Sequence, residues 1–139
     1  MPELDDFQGA WRIARVIEDA RAGTTGHFTG IARFTPDGAG LALVETGTLH
    51  LAGQAPIAAS RRYLWRACPD GIAVHFEDGR FFHDIAPGTA PTARHDCPPD
   101  LYHVAYDFAA WPEWRATWVV HGPRKDYVLR SRYHDRSGI

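Results

Sequence analysis

Short β-prone runs separated by turn signals recur along almost the whole of this sequence, and helical periodicity is scarce. Asp78-Gly79 between two such runs is the strongest short signal for a β-hairpin. Pro36-Asp37-Gly38 marks a turn, because proline presets φ and glycine allows positive φ. Nine runs are predicted strands: Ala10–Glu18, Thr25–Thr35, Leu41–Ala52, Arg61–Ala67, Gly71–Glu77, Arg80–Ile85, Leu101–Phe108, Trp114–His121 and Asp126–Tyr133. The chain is therefore expected to be all-β.

The number and spacing of these runs predict the architecture. About nine antiparallel strands joined mostly by short turns suit a closed up-and-down β-barrel, because closure removes the exposed edges of an open sheet. Ile72, Val74 and Phe76 share one face of a run, as in a half-buried strand. A β-sandwich gives the same alternation and is the competing architecture. No repeat, low-complexity segment or linker marks a second domain, so residues 1–139 are expected to form one barrel.

Length and composition bound the class of protein. The 139 residues suffice for one domain with a hydrophobic core, and 45% hydrophobic with 23% charged residues is typical of a soluble globular chain. The net charge of -2 gives no reason to expect a nucleic-acid or membrane partner. Cys68 and Cys97 make no disulfide framework, and the acidic start lacks the apolar region of a signal peptide. We expect a cytoplasmic protein.

A stretch near the start of the chain carries a resemblance to known barrels. Phe7-Gln8-Gly9-Ala10-Trp11 has the F-x-G-x-W form that opens the first strand in the calycins, which include the lipocalin and fatty-acid-binding barrels. The resemblance implies a calycin-like barrel in which a late arginine lies across this tryptophan. Arg130 and Arg132 are the candidates, so we expect one of them to make a cation–π contact with Trp11 at a closed barrel end.

The chain also resembles an uncharacterised bacterial family of similar length. The resemblance rests on two motifs, H-D-C-x-x-D-x-Y and G-P-x-K-D-Y. They correspond here to His95-Asp96-Cys97-Pro98-Pro99-Asp100-Leu101-Tyr102 and to Gly122-Pro123-Arg124-Lys125-Asp126-Tyr127. The similarity spans nearly the whole chain and implies no known activity.

The first motif opens the stretch His95–His103, which has two histidines, a thiol, two carboxylates and a phenol in nine positions and follows a Pro/Gly-rich loop. On a nine-strand count the loop Ala86–Asp100 and the turn Gly122–Lys125 lie at the same barrel end, because consecutive strands alternate in direction. That end is expected to collect six polar side chains: His83, His95, Cys97, Tyr102, His121 and Lys125. The same count puts the start of the first strand there, which the calycin resemblance makes the closed end. The sequence does not resolve this conflict.

Several chemistries are open to these side chains. His83, His95 and Cys97 are residue types that bind zinc, but their spacing matches no standard zinc motif, and hydrogen bonds that hold the loop explain them more simply. Cys97 beside a histidine can act as a nucleophile, although no oxyanion site can be named. Lys125 and Arg124, with the Tyr127 hydroxyl, can meet an anionic group, and the alternative is a solvated turn in which Asp126 pairs locally. We assign no metal and name no cofactor.

Alternation indicates which further side chains face the interior. Tyr102 and Tyr106 share an otherwise apolar face. Glu45 is the one acid on a leucine-rich face: inside the barrel it needs a partner such as Arg130 or Arg132, whereas a bulge that shifts the register leaves it solvated. The candidate ligand-binding residues are His83, His95, Cys97, Tyr102, Tyr106, His121, Lys125, Tyr127, Arg130 and Arg132.

These patterns favour a cytoplasmic small-molecule-binding barrel. The aromatic and aliphatic interior would hold the small apolar or aromatic body of a ligand, and the His, Tyr, Lys and Arg groups above would bind its polar or anionic end. One alternative is an enzyme, with or without a metal, that uses the segment His95–Tyr102. Another is a filled barrel that acts as an interaction module, which an aromatic interior without a cavity would favour. A homodimer is compatible with all three, and no nucleic acid or membrane is expected as a partner.

Overall fold

The computed structural model describes residues 2–134, which form one short 3₁₀ helix and ten β-strands. The helix spans Leu4–Phe7. The strands are β1 (Gly9–Asp19), β2 (Thr24–Asp37), β3 (Gly40–Leu51), β4 (Ile57–Cys68), β5 (Gly71–Phe76), β6 (Phe81–Ile85), β7 (Thr92–Cys97), β8 (Asp100–Asp107), β9 (Trp114–His121) and β10 (Asp126–His134). The predicted all-β barrel is confirmed, with ten strands in place of nine. Within residues 2–134, no helix is both long and apolar enough to cross a bilayer.

All ten strands belong to one antiparallel sheet in the order β6-β5-β4-β3-β2-β1-β10-β9-β8-β7. β1 pairs with β10, which joins the two ends of the chain within the sheet. β6 and β7 end this order and approach each other through side chains, with the ring centroids of Phe82 and His95 5.2 Å apart. The sheet therefore curls into a nearly closed barrel with one seam, between β6 and β7.

The additional strand is β7, which lies inside the segment predicted as the loop Ala86–Asp100. Its residues are mostly polar, and it pairs on one side only, with β8, as an edge strand can. The prediction of one long loop is therefore wrong. The extra strand reverses the direction of every later strand, so the turns after β7 and β9 lie at the barrel end opposite the start of β1. The conflict in the nine-strand count disappears.

The barrel end where β1 begins is closed by the 3₁₀ helix and by packed aromatic rings. Phe7 and Trp11 are fully buried, and the Trp11 Nε1–H donates a hydrogen bond to the Phe7 carbonyl at 2.9 Å. The Phe7 ring packs at centroid distances of 5.0–5.8 Å against Phe34, Trp65, Phe108, Trp111 and Trp114. The F-x-G-x-W stretch is thus part of the closed end.

Arg130 and Arg132 lie on the outer surface and do not pack on Trp11. Arg130 pairs with Glu18, and Arg132 Nε lies 3.0 Å from Glu113 Oε1. Successive residues of a strand face opposite sides of the sheet. In β10, Leu129, Ser131 and Tyr133 face inward, so Arg130 and Arg132 face outward. The predicted contact of Arg130 or Arg132 with Trp11 is wrong for this reason.

Replacing Trp11 with alanine should lower the free energy of unfolding by about 3–5 kcal/mol, because it deletes a fully buried aromatic side chain. The measurement is urea denaturation of both proteins. Arg12→Ala is the matched control, since Arg12 is the next residue on β1 and is exposed. It should change stability by less than about 0.5 kcal/mol. Similar losses in the two variants would contradict the packing described for this end.

Candidate functional site

Four polar side chains meet inside the barrel: Arg15, Glu45, Ser131 and Tyr133. Arg15 donates from Nε to Ser131 Oγ at 2.6 Å, and from Nη2 to Glu45 Oε1 at 2.8 Å and to Tyr133 Oη at 3.1 Å. The Tyr133 hydroxyl donates to Glu45 Oε2 at 2.5 Å. None of the four is more than 8% exposed. We call this set the interior network.

Strand pairing and aromatic faces hold the interior network in place. Arg15 on β1 lies opposite Ser131 on β10 and opposite Phe28 on β2. The Arg15 guanidinium lies over the Phe28 ring, 5.3 Å from its centroid. The ring of Tyr133 stacks on Trp114 with centroids 3.8 Å apart and an angle of 7°. Both ends of the Arg15–Tyr133 contact are therefore fixed by rings as well as by hydrogen bonds.

The pKa values of Arg15 and Tyr133 are both raised inside the interior network. Burial by itself would lower the pKa of Arg15, but the Glu45 carboxylate and the Tyr133 hydroxyl raise it above its usual value. Burial, together with the Glu45 charge, raises the pKa of Tyr133 well above its usual range. Arg15 therefore stays protonated and Tyr133 keeps its hydroxyl proton. Removing a charged pair from water costs free energy. The Arg15–Glu45 pair is tolerated inside the barrel because Ser131 and Tyr133 also form hydrogen bonds with it.

A cavity of about 80 Å³ adjoins the interior network. It is lined by Arg15, Ile17, Phe28, Leu49, Ala59, Ser60 and Arg61. It lies toward the barrel end where β1 finishes, which we call the mouth. The mouth is formed by five turns, at residues 20–23, 52–56, 77–80, 98–99 and 122–125. The Arg61 guanidinium lies 5.6 Å from the centroid of the Trp118 ring. Burial raises the pKa of Tyr63, and the charge and hydrogen bond of Arg61 oppose that rise.

At the rim of the mouth, an ion pair connects the turn that follows β7 with the turn that follows β9. Lys125 Nζ lies 2.8 Å from Asp100 Oδ2, and this hydrogen bond raises the pKa of Lys125. A side chain at Gly122 would place its Cβ 2.1 Å from Asp100 Oδ1, so glycine lets the turn approach the carboxylate without displacing it. Burial and the neighbouring Tyr102 phenol raise the pKa of Tyr127. This part of the rim thus combines the Lys125–Asp100 ion pair with two phenols.

His83 lies in the interior beside the seam. It is 1% exposed, and its Nε2 lies 2.8 Å from Tyr106 Oη. Burial, with a smaller effect of His95, lowers the pKa of His83 to about 3, so the imidazole is neutral at physiological pH. Phe82 is buried as well, because the β5–β6 register shifts between Val74 and His75 and two consecutive residues of β6 turn inward.

The predicted site residues separate into four groups. Four lie together at the mouth or the adjoining seam: His95, Tyr102, Lys125 and Tyr127. His83 and Tyr106 are buried deeper in the barrel, and Arg130 and Arg132 are on its outer surface. Cys97 is exposed at the end of β7, and the exposed His121 lies 3.3 Å from Asp126. Of the six polar side chains expected at one rim, His83 is instead buried deeper, whereas Cys97 and His121 end the strands that lead into turns of the mouth. As ligand contacts, all ten residues remain predictions.

No group of three or more His, Cys, Asp or Glu side chains among residues 2–134 is arranged to hold a metal ion. His83 is bonded to Tyr106, and Cys97 is exposed at a strand end. The zinc ligands that the sequence offered are thus not brought into one coordination sphere in this part of the chain.

Comparison with known proteins assigns the chain to a family. The profile of a family of unknown function (DUF6314) matches residues 7–135. The chain belongs to the DUF6314 family. No curated protein matches its sequence. The structure of an S-type phycobiliprotein lyase from Guillardia theta is similar, with a TM-score of 0.54 and 9% identity over 91% of this chain and 85% of that one. At this identity the similarity shows the fold alone, a lipocalin-like barrel.

The most informative residues of this DUF6314 protein are interior ones that the sequence analysis did not name as ligand-binding. Glu45 is inside the barrel, as one alternative held, but its partner is Arg15 rather than Arg130 or Arg132. Arg15 shares the inward face of β1 with Ile13, which is the pattern that marks a buried charge. Arg61 is likewise on the inward face of β4. A charged residue at a position where the alternating pattern of the strand expects an apolar one could have predicted both arginines from the sequence.

Glu45→Gln should destabilise the DUF6314 barrel by about 3–5 kcal/mol, because it leaves Arg15 as a buried charge without its carboxylate. Chemical denaturation measures the change. Glu18→Gln is the matched control, since it breaks the exposed pair with Arg130 and should cost less than about 1 kcal/mol. A small effect of Glu45→Gln would show that the interior network does not depend on this pair.

His83 should make the stability of the barrel pH-dependent. The unfolded imidazole binds a proton near pH 6.5 and the folded one only near pH 3, so its stabilising effect is complete above pH 6.5 and is lost as pH falls toward 3. Between pH 7.5 and pH 5 this group alone should remove about 2 kcal/mol from the free energy of unfolding. Denaturation of the wild type and of His83→Gln at both pH values measures the difference. Equal pH dependence in the two proteins would contradict the assignment.

Proposed function

We propose that this protein is a small-molecule-binding barrel that takes the anionic end of a compact ligand, a carboxylate, into the cavity between Arg15 and Arg61. The observation that supports the proposal is that both arginines line the same small cavity. The proposed ligand has an apolar or aromatic body, since the other walls include Ile17, Phe28 and Leu49.

The donor inventory of Arg15 supports an anion. A guanidinium carries five N–H donors. Its Nε and Nη2 groups bond to Ser131, Glu45 and Tyr133. The two donors on Nη1 have no hydrogen-bond partner among residues 2–134. A carboxylate oxygen in the adjoining cavity would accept from them.

The charge balance of the cavity supports the same ligand. Arg15 is neutralised by Glu45, whereas Arg61 has no carboxylate partner within 4.0 Å in the described part of the chain. The cavity wall therefore carries an uncompensated positive charge. A charge-assisted hydrogen bond contributes roughly 1.5–3 kcal/mol, which suffices to discriminate an acid from a neutral analogue.

The size of the cavity limits how the ligand binds. A volume of about 80 Å³ is well below the roughly 300–1,000 Å³ of pockets that enclose a drug-sized molecule. It accommodates a carboxylate with a few carbon atoms. The remainder of the ligand would lie at the mouth, against Tyr63 and Trp118, whose ring centroids are 5.9 Å apart.

The rings that fill the rest of the barrel favour a second candidate, an interaction module. The aromatic cluster around Phe7 occupies the closed end. Ile57 and Phe81 are 43% and 50% exposed, and both border the mouth, where a protein partner would meet them. An enzyme remains a third candidate, although the lyase with a similar structure supports it through the fold alone. A cytoplasmic location and a homodimer stay predictions.

Displacement of a fluorescent dye tests the proposal. The protein is loaded with 8-anilinonaphthalene-1-sulfonate, and decanoate is compared with decan-1-ol, which has the same chain without the charge. We expect decanoate to displace the dye about tenfold or more better than the alcohol, the ratio that one charge-assisted hydrogen bond gives. Arg61→Gln should abolish this preference.

Arg62→Gln is the matched control for Arg61→Gln. Arg62 is the next residue on β4, is 59% exposed and lies on the outer face. Its substitution should leave the preference for decanoate unchanged. Equal displacement by acid and alcohol in the wild type, or equal effects of the two substitutions, would overturn the carboxylate site and favour the interaction module.

A further inference from the structure

Two histidines stand side by side on the outer face of the barrel. His27 on β2 is directly opposite His50 on β3 in the antiparallel pair. Both are exposed, whereas Gly26 and Phe28 on either side of His27 are buried, so the histidines face outward. Residues directly opposite each other in such a pair have Cβ atoms about 4.5–5.5 Å apart. The two imidazoles can therefore reach one common point above the sheet.

We propose that His27 and His50 together bind one divalent transition-metal ion, of the class of Zn²⁺, Ni²⁺ or Cu²⁺. Imidazole nitrogen is a preferred ligand of these ions, at about 2.0–2.1 Å for zinc. Two imidazoles on neighbouring strands supply two ligands at fixed spacing, and water completes the coordination sphere. The site is independent of the carboxylate cavity, which lies on the inner side of the same sheet.

The imidazoles of His27 and His50 are available to a metal. Within residues 2–134, neither ring makes a hydrogen bond, an ion pair or an aromatic contact. A ring nitrogen that is bonded to a carbonyl or carboxylate would have to break that bond before it could bind a metal. In the described part of the chain, the ring nitrogens of His27 and His50 have no such bond to break.

The cationic side chains near the pair are themselves paired with carboxylates. Val16 lies opposite His27 on its other side, and the next outward pair along β2 and β3 is Thr29 with Thr48. His27 also borders a surface groove lined by Arg115, Arg130 and Arg132. Arg130 is paired with Glu18, and the other two arginines are both paired with Glu113. These ion pairs reduce the positive charge that would oppose metal binding.

A bound metal would connect β2 and β3 at the level of the carboxylate cavity. Phe28 is next to His27 and Leu49 is next to His50, and both line that cavity. Binding to the folded chain alone raises stability as the metal concentration exceeds its dissociation constant. The ion would thus stabilise the two strands that carry this wall.

Isothermal titration with Ni²⁺ at pH 7.5 tests the site, using tag-free protein with Cys97→Ser so that the exposed thiol does not bind the ion. We expect one ion per chain. His27→Ala and His50→Ala should each lower the affinity at least about tenfold, since either change leaves a single ligand without the second. His103→Ala is the matched control, because His103 is exposed on β8 with no histidine opposite it, and it should change nothing.

Three outcomes would overturn the proposal: no binding by the protein with both histidines, unchanged affinity in His27→Ala or His50→Ala, or an equal loss in His103→Ala. Urea denaturation of each variant without metal establishes that the barrel is folded. Exposed positions of this kind change stability by less than about 0.5 kcal/mol, so the variants are suitable for the titration.

Discussion

The contact between Arg15 and Glu45 is the interaction on which the interior of this barrel depends. A buried guanidinium requires a carboxylate, and the carboxylate in turn requires the Tyr133 hydroxyl. Because β1, β3 and β10 each supply one of these groups, the contact connects strands that are distant in sequence. It also leaves part of the guanidinium facing the cavity. The same pair therefore links the packing of the barrel to the chemistry of its candidate site.

Topology determines which side chains can share that site. With ten strands, the two turns joined by Asp100 and Lys125 lie at the mouth, far from the aromatic rings of the closed end. The seam between β6 and β7 closes through the contacts of Phe82 and His83 instead of backbone pairing. One end of the barrel is thus filled by rings, and the other combines charged groups and phenols around a small cavity.

The fold was largely predictable from sequence, and the candidate site only in part. Turn signals such as Asp78-Gly79 and period-two alternation locate the well-paired strands, because both features are local. β7 has neither an apolar face nor a strong β propensity, and it is a strand because β8 offers it an edge. Because the nine-strand prediction lacked β7, it assigned the polar rim to the wrong end of the barrel. Arg15 and Arg61 look like ordinary surface charges until the strand register turns them inward, and their shared cavity is a tertiary property.

The central claim is that Arg15 and Arg61 receive the anionic end of a ligand in one cavity. Nuclear magnetic resonance of the ¹⁵N-labelled arginine side chains during a decanoate titration tests it most directly, because each guanidinium is observed separately. We expect saturable shifts of the Arg15 and Arg61 signals with one common dissociation constant, while the exposed Arg62 signal stays unchanged. Shifts that are absent, or that are equal for Arg61 and Arg62, would contradict the account.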